Sequence, residues 1–138
     1  VVVKKDGEVF LVIKRKVWLG VKCRFFKNDN LVLESYLFPF FLPFVTIKYQ
    51  NLPKEVSLHR KLRFFYSLLY DDIEFSLKLK LFRNPDYFFF KDGIQRGSLT
   101  NLKQTLGHNV LYKLETDIDD EEINLLFVIL LYIHLRYF

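Results

Sequence analysis

Polar and apolar residues alternate along most of this chain, and the alternation stops at its C-terminal end. Glu8 to Trp18 opens with the β-branched and aromatic run VFLVI and continues into the basic triplet Lys14, Arg15, Lys16, which predicts a strand closed by the Gly20 break. Val21 to Lys27 alternates, with Val21, Cys23 and Phe25 on one face and Lys22 and Arg24 on the other. Asn28, Asp29 and Asn30 tolerate left-handed backbone and bond their own main chain, so they predict a turn, and Leu31 to Tyr36 returns as the second arm. The clearest alternation runs from Glu74 to Phe82. There Phe75, Leu77, Leu79 and Leu81 share one face while Ser76, Lys78 and Lys80 share the other, the mark of a strand with one buried side. Tyr87 to Phe90, turned by Lys91-Asp92-Gly93 into Gln95 to Leu99, and then Val110 to Asp117, extend an antiparallel meander.

The end of the chain follows another rule. From Ile123 to Leu135 only Asn124 and His134 interrupt the apolar run, so a helix over about 120–136 has no polar stripe to turn toward water and must be wrapped. Ile123 to Phe138 would reach only ~24 Å as a helix, short of the ~30 Å hydrocarbon layer, which favours a core helix over a membrane span. Leu37 to Phe44 is wholly apolar, yet Pro39 and Pro43 cannot donate to a sheet ladder, so it reads as an edge or a loop, either buried or exposed. Leu58, Leu62, Phe65 and Leu69 recur at helical spacing, which predicts an extra helix over 53–69 after a cap at Asn51.

At 138 residues and 51% hydrophobic content, the chain is long enough to bury a core without disulfides, and one domain over 1–138 is expected. The single cysteine, Cys23, cannot form an internal bridge, so a reducing cytoplasm is the expected compartment. The sequence holds no Met, so it is expected to begin after a segment removed from its N-terminus. Ala is also missing, while Phe, Tyr, Leu and Lys are abundant, a composition that favours strands over a helical bundle. Charge is divided unevenly. Residues 1 to 114 carry 20 Lys and Arg against 10 Asp and Glu, whereas residues 115 to 138 carry 1 against 6. The body is therefore basic and the approach to the helix acidic.

A meander of short strands ending in a buried apolar helix resembles the tubby C-terminal-like superfamily, which includes the tubby domains, the LURP-one-related proteins and the phospholipid scramblases. The likeness lies in IKRKVWLGVKCRFFKNDNLVLESYL, in YFFFKDGIQRGSL and in LYKLETDIDDEEINLLFVILLYI, about two thirds of the chain in all, and the stretch from Leu37 to Leu69 departs from it. The resemblance implies a closed antiparallel β-barrel threaded by the C-terminal helix. Such a barrel would coat an all-round apolar helix, so the missing polar stripe and the order of motifs lead to the same fold by separate routes.

Residue chemistry narrows the function. His59, His108 and His134 are far apart with no ligand spacing, and one cysteine makes no thiolate cluster, so no zinc site is expected. Cys23 falls on the apolar face of its strand as a core thiol, the serines lack a nucleophile elbow, and Gly93 and Gly97 in GIQRG read as turn residues instead of a dinucleotide fingerprint. No catalytic residue, cofactor or metal is expected. The acidic group has two readings. Asp119 followed by Glu122 has the spacing of a capping box, which is the favoured one, while Asp117, Asp119 and Glu121 are the alternative as oxygen ligands for calcium.

The positive hint about partners is basic. Lys14, Arg15, Lys16, Lys22 and Arg24 occupy adjacent segments, and the resemblance adds that tubby domains hold phosphoinositides on a cationic barrel surface. The expected function is a non-enzymatic binding module for an anionic membrane surface or phosphoinositide headgroups, cytoplasmic and peripheral to a membrane, with LFPFFLPF as a wedge if exposed. An acidic protein is the other partner that fits, and a structural or protein-interaction scaffold with no lipid role is the alternative. Nucleic acid is disfavoured because neither a recognition helix nor an RRM-type aromatic signature is present.

Overall fold

The computed structural model describes residues 2–38, 44–62, 65–79, 87–105 and 109–137. Contacts divide the chain into two compact units, one over 1–58 and the other over 59–136. Five strands form the first sheet in chain order: β1 Val2–Lys5, β2 Glu8–Trp18, β3 Gly20–Lys27, β4 Asn30–Phe38 and β5 Phe44–Gln50. The second sheet holds β6 Val56–Leu62, β7 Phe65–Tyr70, β8 Ile73–Leu79, β9 Tyr87–Lys91, β10 Ile94–Thr105 and β11 Asn109–Thr116, again in chain order. One helix, α1 Glu121–Tyr137, follows. The chain is thus mostly β, with antiparallel pairing throughout the described registers.

Two expectations need correction. The closed barrel gives way to two open sheets: β1 and β5 are the edges of the first, and β6 and β11 the edges of the second. The helix expected over 53–69 is replaced by β6 and β7. Helical spacing of Leu58, Leu62, Phe65 and Leu69 competed there with a hairpin signal downstream. Asp71 adopts φ 57°, and the Asp71-Asp72 turn folds β7 back on β8, with Leu68 opposite Phe75 and Tyr70 opposite Ile73. A neighbouring strand that supplies both ladder partners and an apolar face overrides a weak helical period.

In the first unit, alternation sends Leu11, Ile13, Cys23, Phe25, Leu33, Ser35 and Leu37 to one buried face. Where the chain leaves this sheet, the Gln50 side-chain amide copies a ladder. Its Nε2 donates to the Val56 carbonyl at 3.2 Å, and its Oε1 accepts from the Val56 N–H at 2.6 Å. In the second unit, Leu68, Phe75, Leu77, Phe89 and Leu99 form the buried apolar positions of the sheet. The ring of Phe127 on α1 meets Phe75 edge-on at 5.2 Å and Phe89 at 5.0 Å. Each such ring stabilises by about 1.5–3 kcal/mol through burial, and aromatic geometry adds about 0.5–1.5 kcal/mol per pair.

Every residue of α1 from Asn124 to Ile133 is buried, as the missing polar stripe requires. The helix starts one residue later than the capping box predicts. Asp120 is the cap: its Oδ1 accepts the N–H groups of Glu122 at 2.9 Å and Ile123 at 3.3 Å, and its carbonyl accepts from Asn124. Asn124, the polar break in the apolar run, ties α1 to the end of β11. It donates from Nδ2 to the Ile118 carbonyl at 2.8 Å and accepts from the Thr116 hydroxyl at 2.8 Å. Among the described residues no helix is long and apolar enough to cross a membrane.

Candidate cationic surface

The β2–β3 register decides which basic residues act together. Lys14 lies opposite Arg24 and Lys16 opposite Lys22, so all four share the outward face of the first sheet. Arg15 lies opposite the buried Cys23 and so belongs by period to the other face, where it is exposed. The structure therefore brings together four of the five basic residues read from the sequence and separates the fifth.

The next strand supplies a counter-charge. Glu34 of β4 stands opposite Arg24, accepts a 2.7 Å hydrogen bond from Arg24 Nε and lies 3.0 Å from Lys22 Nζ. Its side chain is only 12% exposed. Burial pushes its carboxyl up, but the hydrogen bonds from Arg24 and Lys22, together with their charges, outweigh that and hold it below its ordinary value. Lys14 rests its ammonium 4.9 Å over the Phe26 ring, a cation–π contact that leaves the charge unneutralised. Lys16 faces Lys22 across the ladder.

Beyond Lys16 the hairpin ends in an apolar tip. Trp18 pairs with Gly20 and a single residue, Leu19, makes the bend. Val17, Trp18 and Leu19 are 65%, 76% and 69% exposed, the highest values among the large apolar side chains described. Gly20 is required by its neighbour. A Cβ there would overlap the Tyr36 hydroxyl and lie 2.5 Å from the Leu37 carbonyl oxygen, so only glycine lets the tyrosine ring pack across the strand. Lys16, Trp18, Leu19, Gly20, Lys22, Arg24 and Tyr36 line a cleft of about 490 Å³ that combines cationic and aromatic side chains. Sequence reading missed Trp18, Leu19, Tyr36 and Glu34. The available signal was the turn itself, because VWLG lacks the Asn, Asp or Pro that a solvated turn uses.

The acidic alternative does not assemble. Asp117 lies 3.4 Å from Arg96, Asp119 is exposed, Asp120 caps the helix and Glu121 begins it. Among the described residues no three His, Cys, Asp or Glu come close enough to hold a metal ion. Arg96 and Asp117 line a shallow depression of about 360 Å³ between β10 and the end of β11. Gly97 there is a strand residue and not a turn residue: it sits at a register shift in β10, where a Cβ would lie 2.5 Å from the Glu115 carbonyl oxygen.

Compared with known proteins, the chain matches no family model, no curated protein and no solved structure.

Proposed function

We propose that the chain is a non-enzymatic binding module that meets an anionic membrane surface, phosphoinositide headgroups included, through the outer face of the β2–β3 hairpin. The observation that carries this reading is the cross-strand pairing of like charges, Lys14 with Arg24 and Lys16 with Lys22. Like charges directly opposite one another destabilise a sheet, and Glu34 offsets only part of that repulsion. A surface held at such a cost is explained by a partner that supplies the missing anions. Near an anionic bilayer each cation contributes about 1 kcal/mol, so four cations against one carboxylate are worth roughly a hundredfold in affinity. Kinship with the tubby C-terminal-like proteins is part of this proposal; it rests on the order of motifs in the sequence, a strand meander ending in an apolar helix, and not on barrel closure, which the two open sheets lack.

Flotation with phosphatidylcholine vesicles, with and without phosphatidylserine or a phosphoinositide, tests the proposal. Binding should require the acidic lipid and weaken as salt rises, because exposed charges are screened over ~8 Å at physiological ionic strength. Protein that ignores acidic vesicles even at low salt removes the membrane reading and leaves an interaction scaffold.

A further inference from the structure

We infer that the β2–β3 tip is an insertion wedge: Val17, Trp18 and Leu19 enter the headgroup boundary of an anionic bilayer while Lys16, Lys22 and Arg24 hold lipid phosphates behind them. This rests on the anionic-surface reading and adds to it an orientation, a depth and the residues that set both.

The other described hairpin turns show what a solvated tip looks like in this chain. Asp6-Gly7, Asn28-Asp29 and Asp92-Gly93 all take positive φ at both positions, the geometry of a tight hairpin turn made by residues that suit water. Asp71-Asp72 is equally polar. Among the described turns only β2 to β3 is made by a bulky apolar run, and that run is the most exposed apolar surface described. Hairpin closure does not ask for tryptophan and leucine there.

Register extends the apolar rim along the same end of the sheet. Val21 lies opposite Leu37 and Leu37 opposite Val45, so the next pair, Phe38 and Phe44, ends β4 and β5 beside the tip. Their rings meet at 5.5 Å with a tilt of 36°, and the two residues are 38% and 45% exposed. The Lys16–Lys22 pair sits two residues back from Trp18–Gly20, or about 7 Å along the strand. Interfacial apolar groups bury about 5–10 Å into a bilayer, so a seated tip puts those ammonium groups level with the phosphates. Tryptophan suits that level because its ring is apolar and its N–H is polar. Packing of Tyr36 against Gly20 braces the hairpin, so little ordering is needed on contact. A second copy of the chain would bring the same cations against these and be repelled, whereas an anionic bilayer complements both the charges and the rim.

Trp18 is the chain's one tryptophan, so its fluorescence reports the tip directly. With vesicles containing phosphatidylserine at physiological salt, emission should move to the blue and be quenched by lipids brominated high on the acyl chain. Leu19→Ser, which keeps the reporter, should weaken partitioning about tenfold at unchanged melting temperature. Lys16→Glu should weaken it roughly thirtyfold. Lys4→Glu makes the same charge change ~24 Å away, near the far end of β2, and should weaken it only a few fold. Vesicle binding with Trp18 emission unmoved overturns the wedge and leaves the surface reading standing. No vesicle binding overturns both. A blue shift that follows protein concentration without lipid, or that appears with polyglutamate and not with vesicles, assigns the tip to self-association or to an acidic protein and also overturns the wedge.

Discussion

Among the described residues, two apolar stretches that lack a polar partner face meet opposite fates. Leu125 to Ile133 of α1 is buried on every side, while Val17 to Leu19 at the β2–β3 tip is more than three-fifths exposed at each residue. The helix spends its apolar surface inside the protein, where Phe127 packs on Phe75 and Phe89. The tip holds its surface outward, braced by Tyr36 and backed by cations. Hydrophobicity alone does not separate a core from a binding edge. What separates them is whether the remaining elements can cover the surface, and a bend of one residue at a sheet end leaves no room for cover.

The sharpest way to break this contrast is to place the same charge in both. Ile129→Asp should abolish folding, because an unpaired buried carboxylate costs several kcal/mol against a total stability of about 5–15 kcal/mol. Leu19→Asp should leave the melting temperature within the range of an ordinary surface change, about 0.5 kcal/mol. Circular dichroism on the pair decides. A folded Ile129→Asp protein would sink the buried-helix account, and an unfolded Leu19→Asp protein would show that the tip is core.

Next in size is the brace beneath the tip. Gly20→Ala drives a methyl into the Tyr36 hydroxyl and the Leu37 carbonyl, and the second of these is backbone that cannot swing aside. Overpacking of this kind costs about 1–3 kcal/mol, readable as a lower urea midpoint. Tyr36→Phe in the same chain should recover only part of it, since the Leu37 contact remains. Full stability in Gly20→Ala would mean that the hairpin is loose, and a loose tip would have to be ordered on binding.

The strands and the helix were legible because their periods are local. Glu8–Trp18 ends where its pattern and Gly20 end it, and α1 ends within a residue or so of the expected 120–136. β1 escaped because Val2–Lys5 is short and does not alternate, whereas β5 carries a plain alternation, Val45, Ile47 and Tyr49 against Thr46, Lys48 and Gln50, that was masked by the proline-broken apolar run before it. β6 and β7 were misread because spacing of four leucines and phenylalanines fits a helix until Asp71-Asp72 folds them onto β8. Of Leu37–Phe44, Leu37 is buried and Phe38 and Phe44 are exposed, while 39–43 lie outside the described residues. The charged site was half legible. Alternation placed Lys22 and Arg24 on one face, but their partners Lys14, Lys16 and Glu34 are set by register, which the pattern of one strand does not carry. Reversing both Lys22 and Arg24 would set two new carboxylates against the mostly buried Glu34, so Lys16 is the cleaner probe.

The helix entrance offers a smaller test of the same buried stretch. Asp120→Ala removes the acceptor for two orphan N–H groups and should cost about 0.5–2 kcal/mol, whereas Asp119→Ala should fall within about 0.5 kcal/mol of wild type. Equal losses at both positions would return the cap to Asp119. Millimolar calcium should shift neither melting temperature, and a calcium-dependent rise would reopen Asp117, Asp119 and Glu121 as ligands.

Acid should separate the two regions by pH, with the smallest effects of all. His134, near the end of α1 and edge-on to the Tyr87 ring at 5.4 Å, is held below its ordinary value by burial, which disfavours its charged form. The unfolded chain therefore takes up that proton first, at about pH 6.5, so the stability from the neutral ring is complete above that pH and is lost as pH falls toward the lowered value. Glu34 in the hairpin is also lowered, so its contribution is complete above about pH 4.3 and is lost only in stronger acid. That second loss is small, because Lys22 and Arg24 are themselves 36% and 49% exposed and their attraction is screened. Melting curves at pH 7.5, 5.5 and 3.5 should fall in two stages, and His134→Phe should flatten the first stage while leaving the second. A wild-type curve that is level between pH 7.5 and 5.5 would mean that His134 charges freely in the fold, and the helix end would then be open to water in a way the buried Leu131 and Ile133 beside it are not.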